Sequence, residues 1–142
     1  DWSLPWTVPE NKRFRASSVL QYCETPEELG TTVMAVTGDG TAFPVSRRVT
    51  VDELSPNLII LIEVNSDIHW MAPHDVDSDT LTKDDLVRFA QTPGDGFHVT
   101  FLDGVTWALS RNIPLAVVKK FTRSSTCVGL DRDAELLSYR IL

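Results

Sequence analysis

Asp75-Val76-Asp77-Ser78-Asp79 places three carboxylates at alternate positions. Hard oxygen ligands in that spacing can converge on one Ca²⁺. The match to a calcium loop stops there. A loop of the EF-hand kind counted from Asp75 wants glycine at its sixth place and glutamate at its twelfth, where this chain has Thr80 and Leu86. The competing reading is a solvated acidic loop leading into a helix N-terminus, where carboxylates suit the helix dipole. Asp75, Asp77 and Asp79 are therefore the candidate metal ligands. Ca²⁺ is the implied cofactor in the first reading, and no cofactor is implied in the second.

The remaining chemistry-bearing residues are sparse. The histidines are His69, His74 and His98, none in an HExxH spacing, and no serine sits in a nucleophile-elbow motif. Surface or hydrogen-bonded histidines are the simpler expectation. Gly38-Asp39-Gly40 is glycine-rich, but no helix follows closely enough to cradle a phosphate, so a turn is expected. Cys23 and Cys127 lie outside any CxxC or Cys/His zinc spacing. They are either two separate buried thiols or one disulfide joining the N-terminal segment to the tail, which requires an oxidising compartment. Trp2, Trp6, Trp70 and Trp107 suit core packing better than a binding platform. No nucleophile–base pair is visible, and an enzyme is not expected.

The elements that position these residues read as α+β: a mainly antiparallel sheet of about four to five strands with packed helices. Residues 1–142 form one globular domain. Pro5 and Pro9 make an extended arm of about residues 1–9, with a short helix expected from Glu10 to Leu20. Thr31 to Thr37 is β-rich. Asn57 to Val64 is the strongest strand, and its unbroken apolar run predicts a central position buried on both faces. Ile68 to Met71 reads as a shorter extended piece. Thr82 with Asp85 forms a capping-box pattern, and Leu86, Phe89 and Ala90 then share one helical face.

Asp103-Gly104 closes a hairpin over about residues 97–110. A two-residue turn with φ > 0 at both positions would set Phe101 opposite Thr106, Thr100 opposite Trp107 and His98 opposite Leu109. In that reading Asp103 and Gly104 serve backbone geometry alone. Pro114 opens a last helix, with Leu115, Val118 and Phe121 toward the core and Lys119, Lys120 and Arg123 at its C-terminal end. Leu136 to Leu142 suits an edge strand.

Composition narrows the function class. The 142 residues carry a net charge of −7 with 42% hydrophobic content, which argues against a nucleic-acid groove or a general affinity for anionic lipid. The longest fully apolar run, Leu58 to Ile62, falls far short of the roughly 20 residues a membrane helix needs. Asp1 opens without Met or a signal-peptide pattern, as expected of a trimmed product whose leader or anchor is missing.

Several stretches in order carry a family resemblance. They are Pro5 to Asn11, Thr32 to Gly38 with Gly40 to Phe43, Ser55 to Val64, Ile68 to Val76, and Gly96 to Val105. Together they resemble the planctomycete pseudopilin-like family, whose members bear a prepilin-type cleavage and methylation segment and a C-terminal domain of unknown function, sometimes labelled solute-binding-like. The resemblance covers nearly the whole chain. It implies a type IV pilin-like head lacking its N-terminal apolar helix, exported to the periplasm or cell surface and membrane-tethered through that helix in the full-length form. Its implied role is non-enzymatic, in assembly or surface interaction, with itself or other envelope or pilin-like proteins as partners. The alternative is a small-ligand or calcium-binding module. Family members usually carry a His ten residues before the Asp of the turn, where this chain has Pro93, so no role tied to that His carries over.

Overall fold

A computed structural model describes residues 5, 7–12, 30–72, 74–90 and 95–141. Its strands are β1 (Val33–Thr37), β2 (Ile59–Glu63), β3 (Val76–Asp77), β4 (Gly96–Phe101), β5 (Thr106–Ser110) and β6 (Arg140–Ile141). The helices are α1 (Lys83–Phe89), α2 (Leu115–Lys120), α3 (Ser124–Cys127) and α4 (Arg132–Leu136). The α+β class holds, but the sheet has six strands, in the order β3-β1-β2-β4-β5-β6, rather than four to five. It is antiparallel except for β1 with β3, which run parallel.

β2 lies inside the sheet, as its apolar run predicts, but it is not buried on both faces: Ile60 and Leu61 remain half-exposed. A bulge shifts its register between Ile59 and Leu61. An extra residue in one strand re-aims its neighbours, so Ile59 and Ile62, three positions apart, are both fully buried. Across the sheet, Met34 pairs with Ile62, Ile62 with Val99, and Val99 with Trp107, and all four are buried. Leu86 and Phe89 of α1, Val118 of α2, Phe121, Cys127 of α3 and Leu136 of α4 complete the same core. The alternate row, Ala35–Leu61–Thr100–Thr106, is half-buried to exposed. This is the period-two alternation of a sheet with a core on one face.

The hairpin exists, but its register differs from the sequence-based expectation. Thr100 pairs with Thr106, Val99 with Trp107 and His98 with Ala108. The N–H of Phe101 donates to Val105 O at 2.9 Å, and that of Gly104 to Phe101 O at 2.9 Å. The loop is therefore the three residues Leu102-Asp103-Gly104. Gly104 has φ +83°, while Asp103 keeps a negative φ. A three-residue loop needs only one left-handed residue. The one-residue slip would have put Thr100 rather than Val99 opposite Trp107, and the buried apolar row decides against it.

Three further expectations change. The helix at Pro114 is not the last, because α3 and α4 follow it. Ile68 to Met71 is no strand; His69 makes a single antiparallel bridge to Gly30. The C-terminal edge strand is two residues long, and Leu136 belongs to α4, buried in the core. The arm and the helix expected over residues 10–20 fall mostly outside the described residues, as do Trp2, Trp6 and Cys23. Pro9–Asn11 forms a 3-10 turn.

α1 begins as read. The Thr82 hydroxyl accepts from the Asp85 N–H at 3.2 Å, and the Asp85 carboxylate accepts from the Thr82 N–H at 2.9 Å. This reciprocal capping satisfies donors a helix start otherwise leaves open.

Candidate functional site

The acidic stretch folds as an edge. Val76 is buried beside Val36 in the parallel β1–β3 pair, which turns Asp75 and Asp77 away from the core. Ser78 is buried, and its hydroxyl meets that of Thr122 at 2.8 Å. The Thr122 hydroxyl donates to Lys119 O at 3.1 Å. Each hydroxyl has one proton, so Ser78 supplies the donor to Thr122. This buried link anchors the acidic turn to the end of α2.

The three candidate metal ligands then go separate ways. Asp75 Oδ1 accepts from the Ala35 N–H at 3.3 Å. Asp77 Oδ1 accepts from the Asp79 N–H at 2.8 Å, an Asx turn. Asp79 pairs with Arg123. Among the described residues, no group of three or more His, Cys, Asp or Glu side chains is arranged to hold a metal ion.

Asp75 and Asp77 instead line a cleft of about 400 Å³. Its apolar lining includes Met34, Ile68, Val76, Leu81 and Phe89. Asp67, Asp75, Asp77 and Asp85 bring carboxylates to it, with His74 and Arg88 as its basic groups. Arg88 is committed to Asp85 at 2.7 Å. Partial burial alone would raise the Asp85 pKa, but hydrogen bonds from Thr82 and the charge of Arg88 outweigh it and hold the carboxyl below its usual range. The capping pattern in the sequence marks Asp85 as a helix-start residue. His74 directly precedes Asp75 in the chain, whereas no local pattern marks Asp67, which the fold brings in from another segment.

The hairpin tip is the second polar cluster. Arg132 opens α4, whose N-cap Asp131 accepts from the N–H groups of Asp133 and Ala134. Its guanidinium donates to Asn57 Oδ1 at 2.7 Å from one nitrogen and 3.1 Å from another, and pairs with Asp103. It also lies 4.1 Å from the Phe101 ring centroid. Partial burial would raise the Asp103 pKa, but hydrogen bonds from Arg132 and from the Val105 N–H, with the Arg132 charge, hold it below the usual aspartate range. Asp103 thus has an electrostatic role that a turn-geometry reading alone does not give it. Arg132 lies 29 residues from Asp103, so no local spacing marks the pair.

The other singled-out residues have local duties. His98 Nδ1 meets Glu63 Oε2 at 2.5 Å, and the same oxygen accepts from the His98 N–H at 3.0 Å. His69 Nδ1 accepts from the Met71 N–H at 3.1 Å, and its ring stacks on Trp70. Trp107 is buried edge-on to Phe101. Gly38 and Gly40 adopt positive φ in a turn. Cys127 carries a free, buried thiol where a disulfide to Cys23 was one of two expectations, and Cys23 lies outside the described residues. Burial pushes the Cys127 pKa up, against a hydrogen bond from Ser55 and the charge of Arg132. A protonated thiol is a poor nucleophile.

No described helix is long and apolar enough to cross a membrane. The comparisons with known proteins add no relative: no family model, no curated protein and no solved structure matches the chain.

Proposed function

We propose that the chain is the non-enzymatic globular head of an exported, pseudopilin-like envelope protein, working in assembly or surface interaction. Its partners are then its own kind or other envelope proteins. One observation carries most of the support: the antiparallel run β1-β2-β4-β5 buries one face against short helices and leaves Ala35, Leu61, Thr100 and Thr106 as a half-exposed row on the other. Such a sheet is a scaffold for contact. The polar side chains at the hairpin tip are consumed by structural pairing, and those at the cleft form no acid–base–nucleophile set among the described residues.

The coding sequence upstream of Asp1 tests this reading. A Gly-Phe-Thr-Leu-type leader joined to about 20 apolar residues is expected. A plain cytosolic start would refute it. A second reading, a Ca²⁺ or small-ligand module, is favoured only by Asp75 and Asp77 lining one cleft. Calorimetry with Ca²⁺ checks it: no heat at about millimolar metal removes the calcium version.

A further inference from the structure

Residues Phe43 to Val51 contain two arginines and no carboxylate, in a chain of net charge −7. They also hold three of the most exposed large apolar side chains: Phe43 at 46%, Val45 at 91% and Val51 at 68% relative exposure. The segment is held in shape. The buried Thr41 hydroxyl donates to Gly38 O at 2.8 Å and accepts from the Phe43 N–H at 3.1 Å. Ser46 donates to Asp39 at 3.1 Å, and Arg47 pairs with Glu53 at 3.1 Å. Phe43 bridges to Thr37. Arg48 makes no ion pair among the described residues. A braced loop that displays apolar side chains in water loses little entropy on docking.

The cleft at β3 has the complementary character. Met34, Val76, Leu81 and Phe89 are core residues that keep 4–8% exposure, and all four line it. Asp67, Asp75 and Asp77 supply negative charge beside them, and Asp67 makes no ion pair among the described residues. An apolar floor with carboxylates around it suits apolar side chains flanked by a cation.

We propose that the Phe43–Val51 loop of one copy docks in the β3 cleft of a second copy of this chain. This rests on the assembly reading and names its contact. The two surfaces differ, so the contact is heterologous and can propagate from copy to copy. Arg48 supplies charge to the carboxylates, and Val45 and Phe43 fill the apolar floor. An anionic membrane is the poorer occupant, because the chain's overall charge opposes it.

Sedimentation velocity from about 10 µM to about 1 mM tests the proposal, with circular dichroism confirming that each variant is folded. Wild type is expected to self-associate with rising concentration. Arg48→Glu and Asp67→Arg should each weaken association by about tenfold or more. Val45→Asp, at a fully solvated position, should do the same without touching the core. A mixture of Arg48→Glu with Asp67→Arg should recover association, since the intact loop of the second variant faces the intact cleft of the first and the two reversed charges attract each other in the other pairing. A wild type that stays monomeric throughout overturns the proposal. Association unaffected by these reversals also overturns it, as does binding to phosphatidylglycerol vesicles without self-association. None of these results touches the exported-head reading, which the upstream coding sequence decides separately.

Discussion

At the hairpin end, Asp103 lies beneath a guanidinium that is itself packed on Phe101 and bonded to Asn57. At the β3 edge, Asp75 and Asp77 accept only backbone N–H groups among the described residues and face an open cleft. Both regions put aspartates next to tight turns. They differ in what reaches the carboxylate. Arg132 is only 11% exposed, so its charge acts where water screens it poorly. The cleft cation Arg88 is mostly solvated and already paired. The first arrangement locks two parts of the chain together, and the second leaves charge available to a partner.

The comparison breaks most sharply at Phe101. Phe101→Ala removes the ring that Arg132, Trp107 and Phe121 share. A loss of about 3–5 kcal/mol is expected by urea denaturation, as for other fully buried aromatics. Arg132→Ala comes next, at about 2 kcal/mol, because Asp103 and Asn57 lose a charged donor. Arg132→Lys should recover little of this, since an ammonium lacks the planar, rigid fork of donors and the flat face that packs on the ring. An equal loss in Asp67→Asn at the cleft would erase the distinction; the expected change there is within about 0.5 kcal/mol.

Acid titration sharpens the same contrast. The folded Asp103 pKa lies below its unfolded value of about 3.9. Its contribution is therefore complete above that value and lost as pH falls through the folded pKa. Denaturation midpoints should drop below about pH 4, and the drop should be shallower in Arg132→Ala. Asp85 acts in the same direction at the cleft end and should persist in that variant. The smallest effect concerns Cys127. Peptide mapping after alkylation at mild alkaline pH should find it unmodified in the native protein and modified after unfolding.

Much of the scaffold was legible in local patterns. The run from Leu58 to Ile62 marked an interior strand, but not its one-sided burial: Ile60 and Leu61 stay half-exposed. Thr82 and Asp85 marked the start of α1 through their spacing. Asp103-Gly104 marked a hairpin, but not its register, because two- and three-residue loops share that dipeptide and only pairing of Val99 with Trp107 decides between them. β3 was not legible: a strand of two residues, Val76 and Asp77, carries no period, and its parallel pairing to β1 is a long-range event. The candidate site was half legible. Asp75 and Asp77 do meet in one cleft, whereas Asp79 is taken by Arg123, 44 residues later in the chain, and the Arg132 lock rests on contacts of similar reach.

Hydrogen exchange of the wild type at low and high protein concentration tests the division between a locked end and a contact end most directly. Amides of residues 43–51 and 65–77 are expected to gain protection as concentration rises, with residues 101–106 and 131–136 unchanged. Protection gained at the hairpin tip, or no concentration dependence anywhere, would contradict it.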